Sequence, residues 1–193
     1  MKRRIASAAL ALCLSTPALA AGWSVDPGPS KIVFGSVKAG NAGESHSFPG
    51  VTGHVGEDGT ATVEIDVTTV DTGIEIRDER MQEQVFRPER FPKATVRAKI
   101  DLDKLSDLDP GATTTLTTEA TLGFLGREVP LTADLFVAPL GEDRVLVTSD
   151  ALLMLATEEL GIDKGIDALQ EIAGLPSITR VTPVAVRLVF SRD

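Results

Sequence analysis

His46 and His54 are the side chains of this sequence best suited to exchange protons near neutral pH. They lie in a glycine-rich stretch, and Ser45 and Ser47 flank His46. A metal site would need a third ligand at a recognisable spacing, and the sequence offers none. A catalytic triad is defined by geometry rather than by neighbouring positions, so the adjacent serines are weak evidence for one. We therefore predict exposed histidines in a loop or an edge strand, and no metal site.

Acidic residues provide a second candidate chemistry. Asp71 follows a predicted strand, and Arg77-Asp78-Glu79-Arg80 opens a predicted helix. Glycoside hydrolysis requires two carboxylates at a defined separation across a cleft, which spacing along a chain does not establish. A hydrogen-bonded turn, followed by a helix whose N-terminus favours acidic groups, is the simpler interpretation. The sequence also has neither a phosphate-binding loop nor a dinucleotide-binding glycine fingerprint.

The overall charge limits the partners of this protein. Asp and Glu outnumber Lys and Arg by 28 to 19, which gives a formal net charge of −9. The phosphate backbone of nucleic acids repels such a chain, and so does an anionic lipid surface. The 42% of hydrophobic residues and 24% of charged residues are typical of a folded domain. We predict no nucleic-acid partner.

The first twenty residues have the three parts of a secretory signal peptide. Lys2-Arg3-Arg4 is a basic start, an apolar run occupies 5–14, and Ala18-Leu19-Ala20 fits a cleavage site. The apolar run is too short for a transmembrane helix, and no later run is longer. We predict a signal peptide at 1–20, one domain at 21–193, no transmembrane segment after cleavage, and export to the periplasm. Cleavage would also remove Cys13, the single cysteine.

The elements that must position these residues are mostly strands. Apolar and polar residues alternate with a period of two, as in antiparallel strands with one buried face, in the segments 31–34, 62–68, 95–100, 115–122, 129–135, 145–155 and 184–190. Two short helices are predicted, from Ile76 to Phe86 and from Gly165 to Ala173. The pattern predicts a single all-β domain, and it does not choose between a barrel and a sandwich.

The segment 145–155 differs from the other predicted strands because both of its faces are apolar. The face that would point outward carries Leu146, Leu152 and Met154. We predict that a helix covers this face. The second predicted helix has an apolar stripe at helical spacing, formed by Ile166, Leu169 and Ile172. We predict that the stripe packs on Leu152 and Met154, with a lid over one end of the domain as the alternative.

Four motifs follow one another along the chain. The most specific runs from Val70-Asp71-Thr72 through Arg77-Asp78-Glu79-Arg80-Met81 to Phe86 and Phe91-Pro92. The other three are Trp23-Ser24-Val25-Asp26 with the segment 30–34, the hairpin 122–131, and Leu160-Gly161-Ile162. Together they resemble the YceI-like family of polyisoprenoid-binding periplasmic proteins. Two positions depart from the family pattern: Thr157 stands where an arginine is usual, and Glu159-Leu160 replace aspartate and phenylalanine.

The resemblance implies an extended, eight-stranded antiparallel barrel of lipocalin-like shape, with two short helical inserts and a long apolar channel. It implies a bound polyisoprenoid, such as the tail of a quinone or a prenol, and no enzyme activity, catalytic residue or covalent cofactor. Each buried CH₂ group contributes about 0.8 kcal/mol, so such a chain could bind tightly without a charged contact. The residues we expect to line the ligand are Phe34, Phe86, Leu122, Leu131, Leu135, Leu153, Leu155, Val186 and Leu188.

Two other functions stay open from the sequence. The interior could be filled by its own side chains, and the protein would then be a structural or interaction module. Alternatively, a hydrolase or an isomerase could use His46 or His54 as a base at the barrel mouth. The sequence does not specify the tail length, the head group or the oligomeric state, and a homodimer is compatible with it.

Overall fold

A computed structural model of the chain describes residues 22–106, 108 and 111–193, so the signal peptide predicted at 1–20 lies outside the described residues. The strands are β1 (Trp23–Val25), β2 (Lys31–Lys38), β3 (Ala42–Phe48), β4 (Val51–Val55), β5 (Thr60–Asp66), β6 (Lys93–Lys99), β7 (Thr114–Phe124), β8 (Arg127–Pro139), β9 (Arg144–Ser149), β10 (Leu153–Ala156) and β11 (Val181–Arg192). The helices are α1 (Glu75–Met81), α2 (Asp103–Ser106), α3 (Thr157–Leu160) and α4 (Asp163–Ile172), with a 3₁₀ turn at Val67–Thr69 and a π-helical turn at Gln82–Phe86.

The strands form one closed antiparallel barrel. Several of them lie end to end and share a position: β1 with β2, β3 with β4, and β9 with β10. Thus β11 pairs with β2 and β1 along one edge, and with β10 and β9 along the other. Because β1 pairs with both β11 and β4, the sheet closes on itself. With the single strands β5, β6, β7, β8 and β11, this arrangement has eight positions, and the predicted eight-stranded barrel is confirmed.

The two ends of the barrel are built differently. The lower end includes the tight β4–β5 turn, which requires glycine, and the longer connection that contains α2. Gly59 has a φ of 80°, and a Cβ at this residue would lie 2.1 Å from the carbonyl oxygen of Ile100. At the upper end, the chain leaves the sheet between β5 and β6 to form α1 and the π-helical turn, and α4 packs against this pair. The upper end therefore carries α1, the π-helical turn and α4 outside the barrel wall.

Both predicted helices are present. The first, predicted from Ile76 to Phe86, is α-helical to Met81 and then continues as the π-helical turn. The turn ends at Arg87, whose φ of 49° is left-handed. The second is α4, which begins two residues before the predicted Gly165 and ends one residue before Ala173. The alternation pattern does not predict α2 and α3, because four residues are too few to show a helical period.

The prediction that a helix covers the outer face of segment 145–155 is wrong. This segment is two strands, β9 and β10, separated by a break at 150–152. Leu152 and Met154 are 60% and 61% exposed. The reason lies in α4, which packs on the π-helical turn at the upper end instead of on the outside of the barrel wall.

Candidate functional site

The barrel contains an apolar cavity of about 560 Å³. This volume is in the range of small-molecule binding sites, roughly 300–1,000 Å³. The wall consists mainly of inward-facing aliphatic side chains from the strands, and side chains of the helices border it at the upper end. The lining includes all nine residues named from the sequence: Phe34, Phe86, Leu122, Leu131, Leu135, Leu153, Leu155, Val186 and Leu188. Their contact with a ligand stays a prediction.

Several of these lining residues are only partly buried, which separates a hollow barrel from a filled one. In a filled barrel, inward side chains would be covered by one another. Here Phe86, Leu122 and Leu188 are buried. The other six are of intermediate exposure although they line the interior: Phe34, Leu131, Leu135, Leu153, Leu155 and Val186. Their accessible surface faces the cavity.

Small side chains line the cavity towards the lower end of the barrel. Ala61, Ala98 and Ala120 are direct cross-strand neighbours on β5, β6 and β7. All three line the cavity. An alanine leaves the volume of a larger side chain unfilled, so three in register form a recess in the wall. Valine or leucine side chains at these three positions would narrow the cavity.

Four phenylalanines form a continuous row of rings towards the upper end. Phe34 stacks on Phe48 with ring centroids 5.1 Å apart, and Phe48 meets the edge of Phe86 at 5.3 Å. Phe86 in turn lies 6.2 Å from Phe124. Such edge and stacked arrangements are favourable for aromatic rings. The row links β2 and β3 to the π-helical turn and to β7, and it brings Phe86 into the cavity wall, as the sequence predicts.

Above the phenylalanines, the inward faces of β2 and β3 become polar. The alternation that places Ile32 and Phe34 inside continues to Ser36 and Lys38. On β3, His46 pairs with Phe34 and Glu44 pairs with Ser36. Glu44 binds Lys38 at 2.8 Å and Arg77 of α1 at 2.9 Å. All five polar side chains line the upper part of the cavity. The sequence analysis missed this polar cluster, although the period-two pattern of β2 extends to Lys38 and could have revealed it.

His46 is the buried member of this cluster. It is 5% exposed, so the prediction of an exposed histidine is wrong for this residue. Its Nε2 lies 3.2 Å from the Ser36 hydroxyl, and its ring lies 5.2 Å from that of Phe34. Burial lowers the pKa of His46 below its ordinary value of 6.5, and the positive charge of Arg77 lowers the pKa further. The imidazole is therefore neutral at neutral pH.

Two polar atoms facing this region have no hydrogen-bond partner among the described residues. They are Nδ1 of His46 and Nε of Arg77. Considered as a pair, Ser36 and His46 have the separation of a nucleophile and its base. However, no carboxylate in the described part of the chain bonds Nδ1, as the third member of a triad would. The geometry thus does not favour the hydrolase alternative at His46.

His54 does not belong to this polar cluster. It lies on β4, exposed on the outer face, with its Nδ1 3.4 Å from a carboxylate oxygen of Asp193. His46 lines the cavity, and His54 does not. The two histidines therefore do not form one site. Among the described residues, no cluster of three or more His, Cys, Asp or Glu side chains could hold a metal ion.

The acidic motif that follows β5 anchors α1 to the barrel. Asp78 accepts hydrogen bonds from the backbone N–H of Thr72 at 2.8 Å and from its hydroxyl. Asp71 accepts one from the Gly73 N–H at 2.9 Å. Arg77 donates both to the Thr72 carbonyl and to Glu44 on β3. The carboxylates have structural partners, in agreement with the simpler interpretation, and the motif fixes Arg77 at the upper end of the cavity.

The apolar stripe of α4 faces the cavity rather than the outer surface. Ile166, Leu169 and Ile172 all belong to the cavity lining. The predicted packing on Leu152 and Met154 is therefore wrong, and the lid alternative describes the position of the helix. This position of α4 requires a glycine at residue 165. A Cβ on Gly165 would lie 2.4 Å from the carbonyl oxygen of Gln84.

Exposed apolar residues mark the opening of the cavity. Ile74 and Ile76 are 49% and 51% exposed, and Ile172 on α4 is 46% exposed, although all three line the cavity. The opening is therefore bordered by the start of α1 and the end of α4. None of the helices in the described part of the chain has the length and hydrophobicity needed to span a bilayer.

A model of the YceI-like domain matches residues 23–186, which is most of the chain and the whole barrel wall except the end of β11. This protein belongs to the YceI-like family. A search among curated proteins found no match.

Several solved structures share this architecture. A polyisoprenoid-binding domain from Saccharophagus degradans, implicated in plant cell wall breakdown, is similar with a TM-score of 0.86 and 28% identity, over 89% of this chain and 98% of that one. BcnA of Burkholderia cenocepacia has a TM-score of 0.65 and 17% identity, over 86% and 98% of the two chains. A Campylobacter jejuni YceI protein has a TM-score of 0.51 and 12% identity, over 100% and 99%. The last two similarities concern the fold.

The departure from the YceI-like pattern at Thr157 has a structural role here. Thr157 is 1% exposed and does not belong to the cavity lining. Its hydroxyl binds the side chain of Asp163, the first residue of α4, and lies 3.2 Å from the carbonyl oxygen of Arg180. Arg180 in turn pairs with Asp167 at 2.6 Å. The residue therefore connects the start of α4 to Arg180, which precedes β11, instead of contacting the cavity.

Proposed function

We propose that this protein binds an isoprenoid lipid non-covalently in the barrel cavity and carries it without chemical change. The observation that carries the proposal is the 560 Å³ cavity with walls formed mainly by aliphatic and aromatic side chains. A long hydrocarbon chain gains about 0.8 kcal/mol for each CH₂ group removed from water. Part of this gain offsets the ordering of the chain on binding.

The similarity to the Saccharophagus degradans domain supports an isoprenoid as the hydrocarbon. That protein is a polyisoprenoid-binding domain, and its fold covers 89% of this chain. The recess at Ala61, Ala98 and Ala120 is consistent with a ligand that is wider than a straight acyl chain, because isoprene units carry methyl branches. We propose Phe34, Phe86, Leu131 and Leu155 as principal contacts, together with the other five lining residues predicted from the sequence.

The signal-peptide pattern at 1–20 supports a periplasmic location for the carrier.

A non-enzymatic role is supported by the surroundings of the two histidines. His46 has no carboxylate to orient it among the described residues, and His54 lies on the outer face. An isoprenoid carrier needs neither a nucleophile nor a metal ion.

A series of prenols of increasing length tests the proposal, and Trp23 provides an internal reporter. Trp23 is the single tryptophan, lies on β1 near the lower end, and lines the cavity. We expect the melting temperature to rise with prenol length because a tighter ligand stabilises the folded state more. Prenols long enough to reach the lower end should also change the Trp23 fluorescence. A melting temperature independent of prenol length would contradict the proposal, and straight-chain alcohols of equal carbon number are the matched control.

A further inference from the structure

The largest side chain of the cavity lining lies at the lower end of the barrel. Trp23, the first residue of β1, is the single tryptophan of the chain and lines the cavity. Its cross-strand neighbours are Val55, the last residue of β4, and Arg192, the last residue of β11. Trp23 therefore lies where these strands end, at the opposite end of the barrel from the opening that α1 and α4 border.

Trp23 belongs to the same cross-strand row as the three alanines of the recess. Trp23 pairs with Val55, and Val55 pairs with Ala61. From Ala61 the row continues on β6 and β7 with Ala98 and Ala120. All five residues line the cavity. The row thus combines one very large side chain with three of the smallest. Because the indole occupies the space beside the alanines, it limits how far a ligand can extend past the recess.

Arg192 covers the Trp23 ring on the side away from the cavity. Its guanidinium carbon lies 4.8 Å from the ring centroid, within the range of a cation–π contact. Arg192 is exposed and does not line the cavity, so it contacts the ring from the solvent side. The guanidinium also lies 3.5 Å from the carbonyl oxygen of Glu142 and 3.6 Å from the carboxylate of Asp143, in the turn before β9. A ligand that displaced the indole outward would have to separate these groups.

We propose that Trp23, covered by Arg192, ends the cavity at its lower end and sets the longest isoprenoid tail that the barrel holds. A tail that enters through the opening beside α1 and α4 passes the alanine recess, and its last isoprene unit contacts the indole. One further unit finds no apolar space inside and stays in water at the opening, so it adds no affinity. This proposal rests on the proposed function and adds to it the residue that determines tail length.

Prenols that compete for the cavity test the proposal by native mass spectrometry. The delipidated protein is incubated with an equimolar mixture of all-trans prenols from C10 to C45, and the bound prenols are identified by mass. In the wild type we expect occupancy to rise with each added isoprene unit up to a limiting length, and not beyond it. In W23A the limit should be at least one isoprene unit longer. The first prenol beyond the wild-type limit should gain about tenfold in occupancy relative to the prenol at that limit.

Two further variants make the test specific to Trp23. W23F retains a smaller aromatic ring beside Arg192 and should raise the same occupancy ratio by less, and it provides the test if circular dichroism shows that W23A does not fold. F91L is the matched control. Phe91 also has an arginine over its ring, Arg90 at 5.2 Å, but it does not line the cavity. F91L should therefore keep the wild-type limit.

The outcomes separate the role of Trp23 from the proposed function. Wild-type occupancy that rises over the whole prenol series would overturn the role of Trp23. An unchanged limit and an unchanged occupancy ratio in the folded Trp23 variants would overturn it as well, and so would an equal shift in F91L. If the wild type binds no prenol of any length, the proposed function fails together with this inference.

Discussion

His46 shows what a single residue contributes to this site and why the sequence conceals it. Strand β3 reads Ala-Gly-Glu-Ser-His-Ser-Phe, without the apolar alternation that identifies the other strands. Its inward positions are Glu44, His46 and Phe48, and two of these three are polar because they face the polar upper end of the cavity. An alternation rule based on hydrophobicity therefore predicts an exposed His46 in a loop or an edge strand. The pairing with Phe34, which only the fold creates, puts it inside.

The buried imidazole gives the unliganded protein a pH dependence. Burial and the charges of Arg77 and Lys38 lower the pKa of His46, and the opposing effects of Glu44 and Asp78 are smaller than this sum. The unfolded chain therefore binds a proton more readily than the folded one. Stability contributed by the neutral histidine is present above the unfolded pKa of about 6.5 and decreases as the pH falls below it.

Urea unfolding between about pH 7.5 and pH 5.5 measures this effect. We expect the free energy of unfolding to decrease towards pH 5.5 in the wild type and to decrease less in H46Q. H54Q is the matched control, because His54 is exposed on the outer face, and it should follow the wild type. A pH profile of H46Q that is parallel to that of the wild type would show that His46 does not cause the dependence.

At the scale of elements, most strands could be predicted from alternation, but β1, β3 and β4 and the interruptions could not. On β5 to β8 and on β11, one face of each strand contacts solvent and the other faces the apolar interior. The resulting alternation is therefore visible in the sequence. The break between β9 and β10 and the π-helical turn depend on contacts between distant segments. The placement of α4 could not be predicted either. An apolar stripe such as Ile166, Leu169 and Ile172 indicates that one face of the helix is covered, but it does not indicate which segment covers that face.

The packing of α4 on the π-helical turn depends on Gly165. A Cβ at this position would lie 2.4 Å from the Gln84 carbonyl oxygen and 3.0 Å from the Val85 Cα. Both atoms are backbone, so neither can move without displacing the turn. Alanine normally favours a helix over glycine by about 1 kcal/mol, but here we expect G165A to destabilise the protein by about 1–3 kcal/mol because of overpacking.

Chemical denaturation of G165A and K164A measures this effect. Lys164 precedes Gly165 on α4 and is exposed, so K164A should have the stability of the wild type. G165A should also weaken ligand binding, because the lining residues of α4 would move with the helix. A G165A protein as stable as the wild type would contradict the close packing of α4 on the π-helical turn.

At the scale of the whole molecule, the fold could be predicted from motif order and alternation, and the interior could not. Whether inward-facing valines, alanines and leucines touch one another depends on barrel diameter and on which residues lie opposite. Ala61, Ala98 and Ala120 are far apart in the sequence, and only the pairing of β5, β6 and β7 brings them together. The cavity is therefore a property of the register of the whole barrel.

Filling this recess should separate folding from binding. In A120F a phenyl ring would occupy cavity volume next to Ala98. We expect the unliganded protein to keep its melting temperature or to gain stability, because the ring enters empty apolar space. The affinity for a long prenol should fall about tenfold or more, equivalent to about 1.4 kcal/mol. T115F adds the same ring at an exposed position of β7 and should bind as the wild type does. Unchanged binding by A120F would place the ligand elsewhere.

The central claim is that the cavity holds an isoprenoid, and the most direct measurement is made on the protein as the cell provides it. The protein is purified without detergent from the native envelope fraction and extracted with organic solvent, and the extract is analysed by mass spectrometry against an equal amount of A120F. Our account predicts an isoprenoid species near one molecule per wild-type protein chain, and much less of it from A120F. An extract without isoprenoid, or one that contains only straight-chain acyl lipids, would contradict it.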